Sequence, residues 1–151
     1  MTPAEPVSAG IATKHFSSTD KAVQMPANFL GLRTINYHVA DLAAAKEWYA
    51  RVTGAEPYFD EPFYVGFNIG GFELGLDPDP ASGMSGAGGT TAYWGVANAE
   101  DAVAMLVAAG ATLRSAAREV GDGIKVGTVM DPFGNELGVI ENPLFKLEDV
   151  R

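Results

Sequence analysis

From residue 32 to residue 39 apolar and polar side chains alternate, the period of two expected of a strand with one buried face, and Thr34, Asn36 and His38 share one side of it. Asp41 follows as an N-cap residue. Leu42, Ala45, Trp48, Tyr49 and Val52 then recur at helical spacing until Gly54 stops the run, which predicts an amphipathic helix of about three turns. Residues 55–60, 63–69 and 72–76 are each rich in aromatic or β-branched residues and are separated by the turn pairs Glu61-Pro62 and Gly70-Gly71, so three strands are expected there. The same order then returns. Residues 90–96 read as a strand, and Asn98 can cap a helix carrying Ala102, Met105, Leu106 and Ala109 up to Gly110. Strands are expected over residues 112–120, 124–130 and 136–141, joined by Gly121-Asp122-Gly123 and by the turn over residues 131–135.

Each half therefore reads βαβββ, and the halves also match residue by residue. Val39-Ala40-Asp41-Leu42 lines up with Val96-Ala97-Asn98-Ala99, and Gly71-Phe72-Glu73-Leu74-Gly75-Leu76 with Gly134-Asn135-Glu136-Leu137-Gly138-Val139, at corresponding places in the pattern. An internal duplication is the economical reading. It predicts an α+β chain whose two βαβββ modules form a curved antiparallel sheet around a central groove, helices outside, with residues of one parity on each strand pointing inward. The expected organisation is an N-terminal tail or arm over residues 1–27, a first module over 28–80, a Gly-rich linker over 81–89, a second module over 90–142 and a C-terminal tail over 143–151. Trp48 and Trp94 are expected in the core. Tyr58, Phe59, Phe63, Tyr64, Phe67 and Phe72 are expected to serve mostly in sheet packing, with one or two rings walling the groove.

Composition narrows the function classes. At 151 residues with 47% hydrophobic residues the chain is long enough for one cored unit or two small modules sharing a core. Nineteen acidic residues against ten Lys and Arg leave a net charge of −9, which repels phosphate backbones and anionic lipid heads and argues against nucleic acid and membrane partners. The absence of cysteine removes disulfides, thiolate metal sites, iron–sulfur clusters and a cysteine nucleophile together. No stretch reads as a signal-peptide core or membrane span, so a cytoplasmic location is expected. The glycines between Gly83 and Gly89 lack the Lys-Ser/Thr of a phosphate loop, and no Gly-x-Ser-x-Gly, CxxC or HExxH is present.

The segments HVADLAAAKEWYARVTGAEP, GGFELGLDPD and MDPFGNELGVIE, spread between Leu32 and Asn142, resemble the vicinal oxygen chelate superfamily. This superfamily holds glyoxalase I, extradiol dioxygenases, fosfomycin-resistance enzymes, methylmalonyl-CoA epimerase and bleomycin-resistance proteins. The resemblance implies a metal position in its metal-dependent members, built from up to four His or Glu side chains of the first and last strands of each module. The matching residues here are Thr34, Glu73, Thr91 and Gly138, of which only Glu73 keeps ligand chemistry. A slip of two residues would bring Glu136 to the last position on the same face but leaves both threonines unrepaired. His38 shares the face of Thr34 but lies about 13 Å further along an extended strand, at the rim of the groove. No metal and no other cofactor is therefore expected.

The expected site is a groove lined by Thr34, Asn36, His38, Thr91, Tyr93 and Glu136, with Glu73 as the candidate catalytic residue: a carboxylate among hydroxyls can orient a ligand or act as a base. Glu73 can equally be a structural carboxylate satisfied by the threonines, and His38 a hydrogen-bonded structural residue. The leading expectation is a metal-independent binder of an unidentified small organic molecule, and a homodimer is expected in line with the superfamily it resembles. One rival is a divalent-metal-dependent lyase, isomerase or dioxygenase using Glu73 with Glu136 and His38. The other is an antibiotic-sequestering protein whose acidic groove attracts a cationic drug.

Overall fold

The computed structural model describes residues 28–151; the expected arm over residues 1–27, His15 included, lies outside the described residues. Eight strands form one mixed sheet in the order β2-β3-β4-β1-β5-β8-β7-β6. The first module contributes β1 (Gly31–His38), helix α1 (Leu42–Thr53), β2 (Phe59–Glu61), β3 (Tyr64–Ile69) and β4 (Phe72–Asp77). The second contributes β5 (Thr90–Gly95), helix α2 (Ala99–Ala108), β6 (Thr112–Gly121), β7 (Ile124–Met130) and β8 (Glu136–Glu141). Read outward from the centre, each half has its first strand, then its fourth, third and second, so the two halves mirror one another about the β1–β5 ladder. The first and last strands of each module run parallel, and all other neighbours antiparallel. The sheet curls into a half-barrel with both helices on its outer face.

Local chemistry sets the helix limits. The Asp41 carboxylate accepts the Ala44 N–H at 3.0 Å, and Gly54, in the left-handed region at φ 73°, returns its N–H to the Ala50 carbonyl. Asn98 caps α2 through the Asp101 N–H at 2.8 Å, while the Glu141 carboxylate reaches across from the end of β8 to take the Ala99 N–H at 2.9 Å. Strand β2 is shorter than the six residues expected. Pro57 has no N–H to give to a ladder, and pairing begins only with the Tyr58 N–H on Gly66.

The outer face is apolar. Val65, Phe67 and Leu76 form the first module's core under Leu42, Ala45 and Tyr49 of α1. Ala99, Ala102 and Val103 of α2 close on Val96, Val129 and Val139 in the second. Trp48 is not part of this core and is 49% exposed. It lies roughly 90° around the helix from the stripe made by Leu42, Ala45 and Tyr49, and meets the Tyr49 ring edge-to-face at 4.9 Å. Trp94 is half-buried and stacks on Phe29 at 5.5 Å. Among the described residues no helix is long and apolar enough to cross a membrane.

Candidate functional site

The inner face of the sheet buries polar groups where the outer face buries hydrocarbon: Thr34, Asn36, His38, Thr91 and Thr128 are each less than 8% exposed. Polar side chains are rarely buried so densely without partners, and register shows how they meet. Thr34 stands opposite Glu73 on one side and Tyr93 on the other, and Tyr93 stands opposite Gly138, which makes one row across the two modules. The next row runs from Gly75 through Asn36 to Thr91.

Each half of the duplication supplies one Thr–Glu pair. Thr34 donates its hydroxyl to Glu73 Oε1 at 3.0 Å, and Thr91 donates to Glu136 Oε1 at 2.8 Å. The remaining carboxylate oxygens are also engaged: Glu73 Oε2 accepts the Tyr58 phenol at 2.5 Å, and Glu136 Oε2 pairs with Arg114 Nε at 2.9 Å. The Tyr64 phenol donates to Asn36 Oδ1 at 2.9 Å.

His38 belongs to the second cluster. Its Nε2 lies 3.3 Å from Thr91 Oγ1. Because the single Thr91 proton goes to Glu136, Nε2 faces the Thr91 oxygen as the donor, and Nδ1 is buried with no protein partner. Gly83 packs directly on the ring: a Cβ there would sit 2.8 Å from His38 Cδ2.

A cavity of about 620 Å³ opens over the first cluster. Its floor holds Thr34, Asn36, Glu73 and Tyr93; the rings of Tyr58, Phe59, Phe63, Tyr64 and Phe72 wall one side. Of the six rings from residues 58–72 expected mostly in packing, only Phe67 is core, and five face the cavity. Arg118 and Val120 of β6 and Asp122 of the following turn form the opposite side, and Leu144, Phe145 and Asp149 cross its end. Those last residues belong to the segment expected as a tail. Sequence periodicity could not signal them, because they lie in no strand or long helix. Of the residues expected to line the groove, Thr34, Asn36, Glu73 and Tyr93 come together in this cavity, while the buried His38 and Thr91 and the half-buried Glu136 form the adjoining network. The lining carries Asp77, Asp79 and Asp149 beside Glu73, against the single cation Arg118.

Space for the phenols comes from glycine. A Cβ on Gly138 would lie 2.5 Å from Tyr93 Cδ1, a Cβ on Gly66 would lie 2.7 Å from Glu73 Oε2, and one on Gly75 would collide with the Tyr64 hydroxyl. Burial, with the Glu73 charge next, raises the Tyr58 and Tyr64 phenols well above the usual tyrosine range. Burial and then Glu136 push Tyr93 up to about 12.

The fold is matched by known proteins. The profile of the Glyoxalase/Bleomycin resistance protein/Dioxygenase superfamily matches residues 31–139, the whole of both modules up to the middle of β8. The chain belongs to this superfamily. Methylmalonyl-CoA epimerase in complex with methylmalonyl-CoA and NH4+ superposes with a TM-score of 0.65 at 17% identity, over 79% of this chain and 99% of that one. The epimerase from Mycobacterium tuberculosis gives 0.58 at 20%, over 80% and 94%. Homoprotocatechuate 2,3-dioxygenase from Brevibacterium fuscum (E323L mutant) gives 0.61 at 20%, with this chain covering 34% of that longer chain. No curated protein matches the chain at a significant level.

The superfamily's metal-dependent members raise the question of whether these residues suit a divalent ion. They do not. Two of the four matching positions are threonines that donate their protons to carboxylates. At the fourth, Gly138, the Tyr93 ring occupies the space that a side chain would need. Glu136 is paired to a guanidinium, and among the described residues no three His, Asp or Glu side chains converge.

Proposed function

We propose that this superfamily member binds a small organic molecule in the 620 Å³ cavity without a metal. The observation that carries the reading is the Tyr93 ring packed over Gly138, with Glu73 satisfied by Thr34 and Tyr58: the inner rows are finished with hydrogen bonds between protein groups instead of an open set of metal donors. Such a surface recognises by shape and hydrogen bonding. The rings of Phe59, Phe63 and Phe72 suit a flat apolar body. Glu73, with Tyr58 and Thr34 fixing both its oxygens, offers its remaining lone pairs to a donor on the ligand. The carboxylates around the cavity favour a cationic ligand, as drug sequestration would need, while the Tyr93 ring over Gly138 and the proton-donating Thr34 and Thr91 speak against the reading as a divalent-metal enzyme.

Ligand-observed NMR with naphthylmethylamine, a flat body with one ammonium, and its neutral analogue naphthalenemethanol tests this. The amine is expected to bind more tightly than the alcohol, and Glu73→Gln is expected to weaken the amine by roughly tenfold or more, the worth of a hydrogen bond to a charged group. No binding of either compound, or equal binding by Glu73→Gln, counts against the proposal.

A further inference from the structure

The segment after β8 turns back on itself. Asn142 Oδ1 accepts the Leu144 N–H at 2.9 Å, and the Phe145 N–H returns to the Asn142 carbonyl at 3.3 Å, so the chain leaves the second module heading across the groove. It ends on the first module. The Arg151 N–H donates to the Gly70 carbonyl at 3.0 Å. The backbone of residues 149–150 lies so close to Gly71 that a Cβ there would stand 2.7 Å from Val150 Cα and 2.8 Å from the Asp149 carbonyl oxygen. Midway, the Phe145 ring is held from two sides: the Arg33 guanidinium sits 3.8 Å from its centroid, and Phe72 stacks at 6.1 Å. Phe145, Phe72, Leu144 and Asp149 all line the cavity, whereas Arg33 does not.

We propose that residues 143–151 are a strap that selects the ligand, with Phe145 as its positioning residue: the ring forms the cavity's end wall, and the Arg33 and Gly70-Gly71 anchors hold it in place. This rests on the reading of the cavity as a ligand site and adds to it which residues set ligand size and retention. Leu144, Phe145 and Asp149 lie outside β1 to β8 and make no hydrogen bond to Thr34, Glu73 or Tyr58, so shortening the strap leaves that cluster in place while opening the site. Arg33 acts from outside the cavity. It stabilises the ring's position without meeting the ligand, so its removal is expected to change strap opening more than ligand contact.

The test uses the full chain and the same two naphthalene compounds. Phe145→Ala is expected to weaken both by about three- to tenfold and to speed their dissociation, with Phe145→Tyr restoring most of the affinity. Arg33→Gln is expected to leave the cavity lining intact, to weaken binding less, and to raise deuterium uptake in residues 143–151 while β1 and β4 keep wild-type protection. A chain ending at Asn142 is expected to fold, as judged by its thermal transition, and to lose discrimination between naphthalene and larger polycyclic amines. Wild-type affinity and exchange in Phe145→Ala and Arg33→Gln would overturn the strap while leaving the cavity proposal standing. Failure of the wild-type protein to bind either compound would reject the cavity proposal and the strap's role together.

Discussion

Gly138 and Tyr93 are one packing unit divided between two strands, since the ring lies where a Cβ would be. Gly138→Ala is therefore expected to cost about 1–3 kcal/mol, the usual range for overpacking, and Tyr93→Ala in the same chain should recover a large part of that cost. A double-mutant cycle in urea measures the coupling; additive effects would mean that the ring yields freely. Thr91 is the second test at this scale. Thr91→Val removes the acceptor of His38 Nε2–H and the donor to Glu136 Oε1 together, leaving the buried His38 ring without a protein partner while Glu136 keeps Arg114. A loss of about 1–3 kcal/mol is expected, read as a lower Tm. Residue identity was readable in the sequence only in part. The inward parity of Thr34, Asn36, His38, Thr91 and Tyr93 followed from alternation along their strands. That Glu136 bonds Thr91, and that His38 joins that network beside the cavity, depends on cross-strand register and side-chain reach, which no pattern along one strand encodes.

The strands and helices were legible because each carries both its own period and its own stop signal. Helix α1 shows this: Asp41 and Gly54 mark its ends in sequence and cap it in the structure. Asp41→Ala is expected to lower stability by roughly 0.5–2 kcal/mol, with no change in the cavity lining, measurable by chemical denaturation; an unchanged midpoint would show that packing alone fixes the helix start. Trp48 marks the limit of such reading. Helical spacing places it near the apolar stripe, but the stripe that the sheet covers is narrower than the pattern suggests, and the indole is left half exposed. The aromatic residues from 58 to 72 failed differently. Their alternation is correct for strands, but it cannot say which of two apolar faces meets a helix and which meets a cavity. The segment over residues 143–151 has no period at all, and its place is set by an Asx turn and by the room left at two glycines.

At the scale of the molecule, the duplication makes one groove from two half-sites, and the groove collects three phenols whose ionisation folding opposes. The neutral form is the one the fold stabilises, so this contribution is complete below the unfolded tyrosine value near 10 and is lost as pH rises, for Tyr93 between about 10 and 12. Stability is expected to fall over that window faster than in Tyr93→Phe. Phenolate absorbance should report Tyr58, Tyr64 and Tyr93 ionising only with or after unfolding. Ordinary titration of all five tyrosines in a folded chain would contradict the packing described. The central claim is that the superfamily's groove is here completed by Tyr93, Thr34, Thr91 and paired carboxylates in place of metal donors. Elemental mass spectrometry of tag-free protein, before and after incubation with Zn, Ni, Mn, Fe(II) and Mg and removal of excess ion, tests it most directly. The account predicts far less than one metal per chain under every condition. A stoichiometric ion that is retained in the wild type and lost in Glu73→Gln would contradict it.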